Sequence, residues 1–244
     1  MRSERDDCMQ CRLGPGFGYI VGYKDLVGRC AAGAERRRQC ERFQGHLADF
    51  LEGMGIYRRF IGASFEGLRA QGIPEQMRAA FDMVEDYASD LPKRKATGKG
   101  IFLKGPVGTG KTTLAVAVLR AALEAGYRVQ MVRLSSLLDT LFTLRALNTE
   151  EWARYERRCR EVDFLLLDDL GSEWTGSEAW VHTKVDSIIS ERYDRQLPTL
   201  LTSNLTRNEL KGKYAERIID RLRDASIVIT LRGNSLRSGG GEIQ

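Results

Sequence analysis

Apolar and polar positions change their period along this chain in an order that predicts alternating strands and helices. Ile73-Pro74-Glu75 opens a helix with proline in its first turn. Met77, Ala80, Phe81, Val84 and Tyr87 then recur at helical spacing to about Ser89. Leu91-Pro92 is expected to end that helix, and Lys93-Arg94-Lys95 to form a basic loop. Short apolar runs follow at Gly100–Lys104, Arg128–Val132, Val162–Leu167, Thr199–Thr202 and Ile227–Thr230, each of strand length. Between them lie predicted helices: Lys111–Ala125, one capped by Ser135 or Ser136 and running through Leu144, Thr149 to about Arg160, Ser177–Arg195, a short one near Asn208, and Tyr214 to Arg223. Val162–Leu167 is apolar without interruption, as a central strand covered on both faces requires. Strands separated by helices predict an α/β fold with a parallel sheet and right-handed crossovers.

Upstream of this alternation the pattern is weaker. The predicted organisation is an N-terminal partner-binding region (1–52), a linker (53–72), the α/β domain (73–238) and a flexible glycine-rich tail (239–244). Gly53 to Gly72 carries several glycines and no sustained period, which suits an extended linker. Cys8-Met9-Gln10-Cys11 is a C-x-x-C knuckle, followed by strand-like Tyr19-Ile20-Val21 and then by Cys30 and Cys40. The gap from Cys11 to Cys30 suits a degenerate zinc ribbon. Either Cys40 or His46, on a helix-like segment Ala34–Phe50, completes a zinc site, or these are free buried thiols. Cys159, apart from the others, reads as a core cysteine, and Arg36-Arg37-Arg38 as a solvated face.

Composition narrows the setting. The chain has 244 residues, 42% of them apolar, enough for a packed core. No apolar run approaches the roughly 20 residues of a membrane span, and Met1 to Asp7 is polar. A cytoplasmic setting is therefore expected, with the five cysteines reduced or metal-bound and no membrane partner. The net charge of +5 permits nucleic-acid binding without establishing it.

The chemistry concentrates in Gly105-Pro106-Val107-Gly108-Thr109-Gly110-Lys111-Thr112-Thr113, between the first strand and its helix. This is the G-x-x-x-x-G-K-[ST] pattern in its required context. Its glycines let successive backbone N–H groups face phosphate oxygens at a helix N-terminus. Lys111 reaches the terminal phosphates of ATP or ADP, and the Thr112 hydroxyl is a Mg²⁺ ligand. Phe164-Leu165-Leu166-Leu167-Asp168-Asp169 is an apolar strand ending in two carboxylates. Asp168 is the expected nucleotide-side metal residue and Asp169 the group that polarises the attacking water, with Glu173 a weaker candidate beyond them. Asn204, at the end of Leu200-Leu201-Thr202-Ser203, is placed to position that water. Arg217 and Arg221 share one helix face at i, i+4, which suits a guanidinium offered to a neighbouring subunit. Arg237 is a candidate to reach the nucleotide of its own subunit.

These motifs, in this order, resemble the AAA+ ATPases of the DnaC/DnaI helicase-loader group, which includes the IstB-type transposition helpers. The likeness covers about residues 56–238, most closely at Asp168-Asp169-Leu170-Gly171-Ser172-Glu173, Leu201-Thr202-Ser203-Asn204 and Glu216-Arg217-Ile218 with Asp220-Arg221-Leu222. It implies a P-loop AAA+ domain and an ATP-dependent homo-oligomer that grips single-stranded DNA and delivers a replicative DNA helicase to it. It also implies that the N-terminal segment contacts the helicase, with Cys8, Cys11 and Cys30 as its knuckle. By the same resemblance Arg221 stands at the arginine-finger position, Asn204 at the first sensor and Arg237 at the second. Asp169 stands where many AAA+ proteins have glutamate, which implies slow hydrolysis. Three other readings are a transposition helper, a nucleotide-dependent adaptor with little turnover, and a small-molecule kinase with Arg217 and Arg221 as lid residues. For DNA contact, Phe142 with Arg145, or Trp152 with Arg154 and Tyr155, pair aromatics with charge.

Overall fold

The computed structural model describes residues 23–28, 30, 37, 40–137, 148–172 and 178–237. Before the sheet come α1 (Tyr23–Gly28), α2 (Glu41–Glu52), a 3₁₀ turn (Arg58–Phe60), α3 (Phe65–Gln71), α4 (Glu75–Ser89) and α5 (Leu91–Thr97). The alternating part is β1 (Gly100–Lys104), α6 (Lys111–Glu124), β2 (Val129–Arg133), α7 (Thr149–Glu161), β3 (Phe164–Asp168), α8 (Glu178–Asp194), β4 (Thr199–Ser203), α9 (Arg207–Lys213), α10 (Glu216–Ala225) and β5 (Ser226–Thr230). All pairings are parallel, in the order β2-β3-β4-β1-β5. This is the predicted α/β architecture.

Strands β1 to β4 feed two cores because their side chains alternate between faces, whereas the edge strand β5 packs on one side only and leaves Val228 exposed. Ile101, Leu103, Phe164, Leu166 and Leu200 face one layer, with α4 and the wholly apolar face of α6. Phe102, Leu165, Leu167 and Leu201 face the other, with α7, α8 and α10. Every residue of β3 is buried, which is why its sequence is unbroken by polar positions before Asp168. Cys159 sits in the second layer, 1% exposed, and burial pushes its thiol up to about 12. Trp152 and Tyr155 also pack against that layer, so the aromatic pair considered for base stacking is turned inward. The alternative pair, Phe142 and Arg145, lies outside the described residues.

Three upstream expectations change. The stretch 53–72 is not an extended linker: it folds as the 3₁₀ turn and α3, the latter capped by Ser64, whose hydroxyl accepts from Gly67 N at 3.0 Å. Ile56, Phe60, Ala63 and Leu68 are buried in the first core layer. Their spacing is irregular because they come from a turn and a seven-residue helix, too short to display a period. Likewise 93–95 is helix rather than loop. Pro92 falls in the first turn of α5, where its missing N–H costs nothing, and Asp90 accepts from Lys93 N. The described part of 1–52 is not set apart either, since Leu26, Phe43, Leu47 and Leu51 share the core that holds Leu114 and Leu119.

Cys8, Cys11, Glu173 and the 239–244 tail lie outside the described residues. Cys30 is buried in the apolar core, and Cys40 precedes α2 without a side-chain cap bond. Among the described residues, no three His, Cys, Asp or Glu side chains gather as a metal-holding group, and no helix is long and apolar enough to cross a membrane.

Candidate functional site

The carboxyl ends of β1, β3 and β4 point at one cavity of about 890 Å³. Parallel pairing puts Lys104 opposite Ser203 and Arg133 opposite Asp168, so the polar residues that end the strands arrive at one level. Ligands of open α/β sheets bind at this edge.

The phosphate loop spans 105–112. Gly110 sits at φ +91 as the N-cap of α6, and Gly108, at φ +82, passes so close to Ser235 that an added Cβ would lie 2.1 Å from its Oγ. A side chain at either place would close the loop. Lys111 donates through Nζ to the carbonyls of Gly105 (2.8 Å) and Pro106 (2.7 Å), and the Thr109 hydroxyl donates to Pro106 O. Burial pulls the Lys111 ammonium below its usual pKa, and Asp169 and Asp168 pull it back. An ammonium so desolvated gains by meeting phosphate oxygens. Val107, Gly108, Gly110, Lys111, Thr112 and Thr113 line the cavity.

Asp168 is 2% exposed. Its Oδ1 accepts from the Thr112 hydroxyl and from the Thr202 hydroxyl, both at 2.8 Å, and Oδ2 lies 3.8 Å from Nε of Arg133. Burial raises its pKa, opposed by the two hydroxyl donors and by Arg133. A buried carboxylate in contact with a threonine hydroxyl is a pair of hard oxygen donors, which fits Mg²⁺. The next residue, Asp169, is held at φ +64, with its N–H donating to Thr202 Oγ1 at 2.8 Å. Aspartate tolerates this left-handed backbone better than most residues, and here it turns the second carboxylate into the cavity. Thr202 is therefore the hinge of the acidic pair: it donates to one aspartate and accepts from the next. Thr202 lies within the Leu201-Thr202-Ser203-Asn204 motif, but the sequence alone gives it no role there.

Asn204 is exposed at the cavity rim. Ser203 secures it from behind, donating to Leu170 O and accepting from Leu205 N. Arg237 arrives by a different route. The segment after β5 returns to the loop, with Leu231 N donating to Lys104 O and Leu236 N to Gly108 O, and this brings Arg237 to the cavity. Arg221 is not among the cavity-lining residues of its own chain. It lies on α10 against α8, donating to Ser190 Oγ, with its guanidinium 5.7 Å from the Tyr193 ring, while Arg217 pairs with Asp186. The remaining wall carries an apolar group, Phe60, Ala63, Leu68, Pro74 and Met77, with Arg59 and Gln71 beside it, Arg133 at the end of β2 and Ser135 just beyond. The apolar group comes from the stretch expected to be linker and from the start of α4, and no motif marked it.

The chain aligns at 26% identity over 200 residues with the replicative helicase loader DnaI of Bacillus subtilis, covering 77% of this chain and 62% of that protein. It aligns at 31% over 148 residues with the insertion sequence IS21 ATP-binding protein of Pseudomonas aeruginosa, covering 57% and 52%. The chain thus spans less than two thirds of either relative. The crystal structure of the DnaC helicase loader superposes with a TM-score of 0.59 at 24% identity, covering 71% of this chain and 99% of that one, which shows a shared fold. Residues 92–240 match the model of the IstB-like ATP binding proteins. That match takes in the phosphate loop, both aspartates, Asn204 and both late arginines, and the chain belongs to the IstB-like ATP binding protein family.

Proposed function

We propose that this protein is an ATP-hydrolysing helicase loader that assembles with further copies of itself, holds single-stranded DNA and delivers a replicative helicase to it. The reach of the DnaI likeness supports this reading, because it covers 77% of this chain, more than the ATP-binding model matched at residues 92–240, and so takes in part of the helical segment upstream of it. In this reading the loop N–H groups and Lys111 bind the phosphates of ATP, and the wall of Phe60, Leu68 and Met77 takes the base. Thr112 and Asp168 hold Mg²⁺, which when bound neutralises charge on the phosphate oxygens. Asp169 accepts a proton from the attacking water, Asn204 orients that water, and Arg237 neutralises phosphate charge from the same chain. Arg221 serves a neighbouring subunit. Aspartate is one methylene shorter than glutamate, so hydrolysis is slow.

The test is a pull-down of the host replicative helicase with and without a non-hydrolysable ATP analogue, alongside ATP hydrolysis with and without single-stranded DNA. Nucleotide-dependent capture and a DNA response support the loader; absence of both sinks it. A second reading, a transposition helper on duplex DNA, draws on the higher identity to the insertion-sequence protein. Capture of a transposase, with a response to duplex rather than single-stranded DNA, would favour it. The shared site has its own check: Lys111→Ala and Arg221→Ala should each be inactive alone and regain hydrolysis when mixed. Failure of the mixture to recover would remove Arg221 from the neighbouring subunit's site.

A further inference from the structure

The two oxygens of Asp168 have different surroundings. Oδ1 is taken by Thr112 and Thr202, whereas Oδ2 faces Nε of Arg133 at 3.8 Å. Arg133 ends β2, the edge strand, and its guanidinium lies 4.7 Å from the ring centre of Tyr57. Tyr57 belongs to a strap laid along the free edge of that strand. Met131 N donates to Met54 O at 2.8 Å. Gly55, at φ +76, runs so close to β2 that a Cβ would fall 2.1 Å from Met131 O. Beyond Tyr57, Arg58 pairs with Asp49 and Glu52 of α2. A continuous set of contacts therefore leads from α2, through the strap, to the carboxylate at the centre of the site.

We propose that Arg133, held by Tyr57, is a positioning residue for Asp168: it supplies the counter-charge to Oδ2 and competes with the divalent cation for that oxygen. The inference rests on Asp168 being the metal carboxylate. The buried charge of Asp168 needs compensation, Asp169 beside it adds a second negative charge, and Lys111 is engaged by the carbonyls of Gly105 and Pro106. Arg133 is the cation that pairs with Asp168 among the described residues. A guanidinium and a metal ion cannot share the open side of one carboxylate oxygen, so loading the metal moves Arg133 away, against the hold of the Tyr57 ring. The position of the strap, and so of α2, then sets how readily the site takes metal.

Mn²⁺ binding to the full chain saturated with ADP, followed by electron paramagnetic resonance, tests this. Removing the competing charge in Arg133→Gln should tighten Mn²⁺ by about fivefold or more, and Arg133→Lys should stay within about twofold of the parent. Tyr57→Ala keeps every charge but frees the guanidinium, and should tighten Mn²⁺ by about twofold to threefold, whereas Tyr57→Phe, which keeps the ring, should not. Unchanged or weaker Mn²⁺ binding in Arg133→Gln overturns the proposal, and an unchanged affinity in Tyr57→Ala overturns the role of the strap. Asp168→Asn separates the two levels. If it leaves Mn²⁺ affinity intact, the assignment of Asp168 fails and the proposal falls with it. If Asp168→Asn weakens Mn²⁺ and Arg133→Gln does nothing, only the proposal fails.

Discussion

The two walls of the nucleotide cavity are built on opposite principles. The polar wall, with Gly105–Thr112, Asp168-Asp169 and Thr202–Asn204, is made of short contiguous segments at strand ends, where backbone geometry and hydrogen bonds set every position. The apolar wall, with Phe60, Leu68 and Met77, gathers single side chains from a 3₁₀ turn and two helices, buried in the first core layer. Directional chemistry tolerates few residue types at each place and so leaves a motif. A hydrophobic surface accepts many side chains of suitable size and leaves none. The two walls should therefore fail differently when altered.

The largest effect is expected from Lys111→Ala. Removing the ammonium takes away the charge that meets the terminal phosphates and should lower ATP hydrolysis by about a hundredfold or more, read by phosphate release. Stability should hold, because Lys111 bonds only to loop carbonyls at the cavity surface. Gly108→Ala comes next. The new methyl meets Ser235 at a backbone conformation that side chains avoid, at a local cost of about 1–3 kcal/mol. Nucleotide affinity should fall by more than about tenfold, seen with a fluorescent ATP analogue, because a shifted loop no longer presents its N–H groups together. The smallest effect on chemistry belongs to Met77→Ala. It should weaken ATP and ADP equally, by about tenfold at most, while hydrolysis at saturation persists. Its cost falls instead on folding, about 2–5 kcal/mol by thermal or urea unfolding, since Met77 is 4% exposed. If Met77→Ala stopped hydrolysis with binding intact, the division between the walls would be wrong.

The apparent contrast between an N-terminal appendage and an ATPase domain dissolves in the same way. Residues 53–72 looked like a connection because their glycines outnumber any regular apolar repeat. Gly55 is needed for close approach to β2, and Gly67 donates its N–H to the Ser64 cap. At Gly55 and Gly67 glycine marks tight packing, whereas Gly72, at φ +82 in open space, serves the turn of the backbone. Arg133 was hidden for a related reason. At the end of a strand it reads as a boundary charge, and only the register opposite Asp168 and the neighbouring Tyr57 ring give it work.

By itself, the sequence determined the alternation of strands and helices, the phosphate loop, the acidic strand end and the late arginines. Those are local: each follows from periodicity or from a contiguous motif whose backbone conformation the residues themselves impose. Tertiary structure alone decided which strands are neighbours, and so that Thr202 joins the two aspartates and Arg133 faces Asp168. It also decided that residues 53–72 form a wall of the site and that Arg221 rests on Ser190, away from its own cavity. Such relations join residues far apart in the chain, through contacts in which shape and charge count and sequence spacing does not.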